Sequence, residues 1–129
     1  MKVLHLNTYS LLKNKSFPHF KYHRDLLEEG HDSLIVSVKG DIIDEKIIIL
    51  EHSKSLPFIF STIIRKLFFE ILNKNDSNYF YPEWNLDNIK SADIINRVSF
   101  TPDVILTYWT KFAFNQKTIF ELSEHYDVP

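Results

Sequence analysis

The sequence predicts an α/β domain built on a doubly wound, mostly parallel sheet with helices on both faces. Three observations lead there. Apolar runs such as "SLIVSV" and "KIIIL" show no polar alternation, as expected of strands covered on both sides. Segments of helical period separate these runs. The chain has 129 residues, enough for one domain with a real core.

The elements follow in order. Val3 to Leu6 read as a first buried strand. Phe17 to Glu29 carry Phe20, His23 and Leu27 at helical spacing and stop at Gly30, which suits the left-handed position past a helix end. Ser33–Val38 is a β-branched second strand, and Gly40 serves the turn after it. Lys46–Leu50 is a third strand. Ser55–Leu72 is a long apolar helix with Pro57 in its first turn, where a missing N–H is harmless. A polar, then aromatic loop at Asn73–Asn85 precedes a helix over Leu86–Val98. Asp103–Trp109, entered through Thr101-Pro102, is the fourth strand. Asn115 caps a last helix reaching His125. Strand, helix, strand, strand, helix, helix, strand, helix is the order of a Rossmann-like half. The chain stops at Pro129, where a further strand is expected, so a cut-off domain is anticipated.

Composition narrows the function. The chain is 44% hydrophobic and 15% aromatic, which indicates an ordered globular protein. A net charge of −2 argues against nucleic acid as a partner, because phosphate neutralisation needs surplus basic charge. With no cysteine there is no disulfide framework, thiolate metal site or cysteine nucleophile, and a cytoplasmic setting fits. His5 and Asn7 interrupt the first apolar run, so it does not read as a secretory leader.

Glycine placement excludes more. No glycine lies between Asn7 and Gly30, so neither G-x-G-x-x-G nor a Walker loop is present. His19 and His23 are four apart, but "FKY" fills the gap where a zincin needs Glu as general base; His19 is expected at the surface and His23 partly buried. No metal site and no cofactor are expected.

Ligands of open α/β sheets bind beyond the carboxyl ends of the strands. That rule points to Thr8, Tyr9 and Ser10 after the first strand and to Tyr108, Trp109 and Thr110 after the fourth. Their hydroxyls suit sugar hydroxyls, and an aromatic ring covers the apolar face of a pyranose. The competing reading makes Trp109 a core ring beneath the cleft, and Tyr9 and Ser10 ordinary exposed loop. "YFYPEW" offers Tyr79, Tyr81 and Trp84 as a cleft wall, or as a pin holding the connection to the sheet.

Two stretches and the opening carry a resemblance. "KYHRDLLEEGHDSLIVS" (Lys21–Ser37) resembles the first helix and second strand of family 4 glycosyltransferases, with Arg24, Leu27, Gly30, Asp32 and Ser33 fitting their pattern. "TPDVILTYWTKFAFNQKTIFELSEHYDVP" (Thr101–Pro129) and "HLNTYS" extend the resemblance over nearly the whole chain. It implies the truncated N-terminal, acceptor-side half of a GT-B fold, occupying residues 1–129, with the donor-binding C-terminal domain absent. The implied partners are a sugar acceptor, glycan or lipid-linked, and a nucleotide-sugar donor held by that other domain, in surface polysaccharide synthesis. The family retains anomeric configuration and generally needs no metal. The implied location is cytoplasmic, with peripheral contact to the inner membrane face through the long apolar helix; alternatively that helix is a core element or meets a partner domain. The sequence departs from the family twice: "TYSLLKNKS" replaces a glycine-rich first turn, and Tyr108 stands where a histidine is common. The chain alone is expected to be inactive. The competing reading is a freestanding, non-catalytic α/β binding or interaction module.

Overall fold

A computed structural model describes residues 1–10, 17–50, 56–72, 89–108, 110 and 114–129. Its elements run β1 (Lys2–Ser10), α1 (Pro18–Glu28), β2 (Asp32–Gly40), β3 (Ile47–Ile49), α2 (Leu56–Leu72), α3 (Ser91–Ile95), β4 (Val104–Thr107) and α4 (Gln116–Tyr126). The strands form one sheet in the order β3-β2-β1-β4. Every neighbouring pair of strands is parallel, so the expected mostly parallel sheet is entirely so among the described residues. The α/β class and the Rossmann-like order of elements therefore hold.

Register decides what each face carries. Parallel partners point the same way, and successive residues alternate. Leu4 and Leu6 of β1 join Leu34, Val36 and Val38 of β2 on one face, where Ile94 of α3, Leu122 of α4, Ile89 and Phe114 close the core. Leu4, Leu6, Ile94 and Leu122 are fully buried, each stabilising the fold by about 1.5–3 kcal/mol. The opposite face is thinner. Ile35 meets Phe20 of α1 and Ile42 there, and His5, the register partner of Ile35, shares that side.

Local chemistry sets the helix ends. Pro18 opens α1 at a position where its missing N–H is harmless. Gly30 ends it with φ 79°, while His31 N–H donates to the Leu26 carbonyl at 2.9 Å. In α4, Asn115 accepts from the Thr118 N–H at 2.6 Å, as the expected cap requires.

Four expectations change. β1 continues four residues beyond Leu6, because its polar end pairs with β2 through Ser10↔Gly40 and Ser10 hydrogen-bonds Ser37. Thr8, Tyr9 and Ser10 thus lie within the strand rather than after it. The third helix is shorter than Leu86–Val98: Ile89 and Lys90 are not helical, and the Ile89 carbonyl accepts from Thr118 Oγ1 at 2.7 Å. Residues 86–88 are outside the described set. α2 leaves one apolar face uncovered, with Leu56, Phe60, Ile63, Leu67 and Ile71 exposed, which the core reading did not anticipate. His19, expected at the surface, is buried, because the step of four that brings His23 against the sheet brings His19 as well.

Candidate functional site: a buried histidine cluster beneath the β1–β4 crevice

The sheet order locates a switch point, where open α/β sheets form their ligand crevice. The chain lays β2 and then β3 on one side of β1 and places β4 on the other, so the order reverses between β1 and β4. Ligands of open α/β sheets bind at the carboxyl ends of strands at such a point. Tyr9 lies at that end of β1, 40% exposed, and Tyr108 directly follows β4, half-buried. Tyr108 N–H donates to the Leu6 carbonyl at 3.0 Å, extending the ladder and fixing where its side chain leaves. Thr110, two residues farther on, is half-buried.

The sequence-predicted residues divide. Tyr9, Tyr108 and Thr110 retain surface at or near this end. Thr8 and Ser10 are buried, and Ser10 is joined to Ser37 through their hydroxyls while its carbonyl accepts from Asp41 N–H at 3.1 Å. Trp109, Tyr79, Tyr81 and Trp84 lie outside the described residues.

Beneath the crevice lies a group the sequence reading passed over. His5 is fully buried between β1 and α1. Its Nδ1 is 3.1 Å from the Tyr108 hydroxyl, and its Nε2 is 2.9 Å from Ser33 Oγ. Ser33 Oγ is also 2.7 Å from His23 Nδ1. The Tyr108 ring stacks on His5, with centroids 5.7 Å apart and planes 12° apart, and lies 5.4 Å from His19. The sequence held a signal: His5 and Asn7 share one strand face by period two, and His19 and His23 share one helix face by period four.

Hydrogen bonding fixes one tautomer. Asn7 Nδ2 donates to the Tyr9 carbonyl at 2.6 Å and is 2.8 Å from His19 Nε2. A carbonyl only accepts, so the amide must turn its NH₂ toward both groups, and His19 Nε2 is therefore an acceptor. Neutral His19 carries its proton on Nδ1.

The cluster is uncharged near neutrality. Burial, then the neighbouring His23 and His19, lower the His5 pKa to about 3. Burial and His23 lower that of His19 to about 4. Burial also lowers His23, where Asp44 raises it and Lys46 lowers it further. Burial, then Tyr22, raise the Tyr108 phenol. The imidazoles are already engaged with Tyr108, Ser33 and Asn7, and no set of three metal-ligating side chains converges among the described residues. The described groups offer neutral hydrogen bonding, as acceptors or donors. No protein-family model, curated protein or solved structure matches the chain.

Proposed function

We propose that the chain is the acceptor-binding part of a GT-B glycosyltransferase, which transfers a sugar from a nucleotide-sugar donor to a glycan or lipid-linked acceptor. One observation carries the reading: the strand order reverses between β1 and β4, and Tyr9, Tyr108 and Thr110 lie at or near the carboxyl end of that junction. Neutral hydroxyls and rings suit a sugar, whose own hydroxyls both donate and accept. They do not suit a diphosphate, for which this chain has no glycine-rich turn. The donor's phosphates are then held by a second domain, and the purified chain transfers no sugar by itself. The resemblance across Lys21–Ser37 and Thr101–Pro129 supports the same assignment.

Amide chemical shifts test it. Neutral oligosaccharides are expected to move the Tyr9, Tyr108 and Thr110 resonances, whereas a nucleotide diphosphate sugar leaves them in place. Saturable nucleotide-sugar binding, or sugar transfer by the chain alone, overturns the proposal. A second reading draws on the exposed apolar face of α2: a non-catalytic interaction module, for which no saccharide moves these resonances.

A further inference from the structure

The contacts of Tyr108, His5, Ser33 and His23 form one unbroken line of exchangeable protons. It starts at the half-buried Tyr108 phenol beyond β4 and ends at His23 on α1, 6% exposed, which feels Asp44 and Lys46 on the segment before β3. The groups facing it are Tyr22 and His19 of α1, Tyr108 after β4, and Asp44 and Lys46; among the described residues no carboxylate touches His5.

Donor counting leaves this line only two arrangements. Ser33 has one proton for two imidazole nitrogens, so one histidine accepts from it and the other donates to it. If Tyr108 donates to His5 Nδ1, then His5 Nε2–H donates to Ser33 Oγ and Ser33 donates to His23 Nδ1. If the line runs the other way, His23 Nδ1–H donates to Ser33, Ser33 to His5 Nε2, and His5 Nδ1–H to Tyr108, whose own proton is then free for the crevice. No mixed arrangement satisfies all three contacts. Both histidines change tautomer together.

We propose that Tyr108, His5, Ser33 and His23 are a proton relay, which carries a proton between a hydroxyl-bearing ligand in the β1–β4 crevice and solvent beside α1. The passage balances. The ligand hydroxyl gives its proton to Tyr108 as Tyr108 gives its own to His5 Nδ1. His5 passes the Nε2 proton to Ser33, Ser33 passes its proton to His23 Nδ1, and His23 releases the Nε2 proton to water. The ligand ends one proton poorer, solvent one richer, and the line stands in its second arrangement. Asp44 lies on the side where His23 is transiently cationic. The relay rests on the hydrogen bonds alone; only the identity of the ligand as a sugar acceptor rests on the proposed function.

Imidazole ¹⁵N shifts of the whole chain read the tautomers directly. Tyr108→Phe removes the terminal hydroxyl at a half-buried position and leaves the ring. It is expected to change the tautomer balance of His5 and, across Ser33, that of His23, two hydrogen bonds away. His19, tied separately to Asn7, keeps its Nδ1–H form and serves as the internal control. Ser33→Ala is expected to uncouple the two, so that Tyr108→Phe in that background moves His5 alone. If Tyr108→Phe leaves the His23 shifts of the folded protein unchanged, the relay is refuted. If Ser33→Ala does not fold, the wild-type titration decides: ionising Tyr108 at high pH must shift His23, and an unmoved His23 refutes the relay equally. Neither result bears on whether saccharides bind.

Discussion

Burial and the neighbouring His23 hold His19 neutral, and a single amide fixes which of its nitrogens accepts. Asn7 Nδ2 points a proton at His19 Nε2, so protonating that nitrogen sets two donors against each other inside the fold. His5 is in a similar position, surrounded by two further imidazoles and fully buried. Unfolded, each imidazole binds a proton near its usual pKa of about 6.5. Folded, His5 and His19 resist protonation down to about 3 and about 4. Within that window the unfolded state binds more protons, so stability is complete above the unfolded pKa and is lost as pH falls. The expected loss from about pH 6.5 to about pH 5 is roughly 2 kcal/mol for each of these two residues, with His23 adding in the same sense. Urea midpoints across that range measure it. His19→Gln keeps an acceptor for Asn7 but cannot ionise, and is expected to flatten the profile by one histidine's share. An unchanged slope in that variant would mean that His19 is free to protonate in the folded protein.

Among the elements, two glycines mark different constraints. Gly30 sits at φ 79° with open space where a Cβ would go, so Gly30→Ala is expected to cost only the backbone strain, about 1 kcal/mol after the unfolded-state gain. A Cβ on Gly40 would lie 2.5 Å from the Ser10 carbonyl oxygen and from Ile49 Cδ1. Gly40→Ala must therefore push β1, β2 and β3 apart, and a larger loss of about 1–3 kcal/mol is expected. Thermal or urea unfolding of the two variants orders them; equal losses would count against the close approach at Gly40. Gly30 and the Asn115 cap were legible in the sequence because both are local signals. Asn115→Ala is expected to cost about 1 kcal/mol by the same measurement. The strand runs were legible for the same reason, each being short, apolar and bounded by turns. The polar end of β1 was not, because Asn7 and Ser10 are strand residues by pairing with Ser37 and Gly40 of β2, partners distant in sequence. The histidine cluster was hidden likewise. Period two put His5 and Asn7 on one face and period four paired His19 with His23, but the register between β1 and α1 that joins the two pairs is tertiary.

At the scale of the molecule, two apolar surfaces lack cover among the described residues. Leu56, Phe60, Ile63, Leu67 and Ile71 follow one another at helical steps along one face of α2, and all are exposed. At the free edge of the sheet, Ile105 and Thr107 of β4 and Ile119 and Phe120 of α4 line an open groove, with Phe120 61% exposed. Surfaces of this kind mark contacts or aggregation, and an edge strand adds unpaired backbone groups to the second. No described helix is long and apolar enough to cross a membrane. The purified chain is therefore expected to self-associate as its concentration rises, which sedimentation velocity detects. Phe60→Lys with Leu67→Lys removes two exposed side chains from α2, and Phe120→Lys removes the most open one from the β4 edge. Because none of these side chains is buried, the fold should tolerate both changes, and circular dichroism checks that it does. Covering one such side chain is worth about 1.5–3 kcal/mol, so whichever surface mediates association should weaken by about tenfold or more for each residue replaced. A loss confined to the α2 variant assigns association to the helix face, and one confined to Phe120→Lys assigns it to the sheet edge. Undiminished association in both variants would show that neither surface drives it.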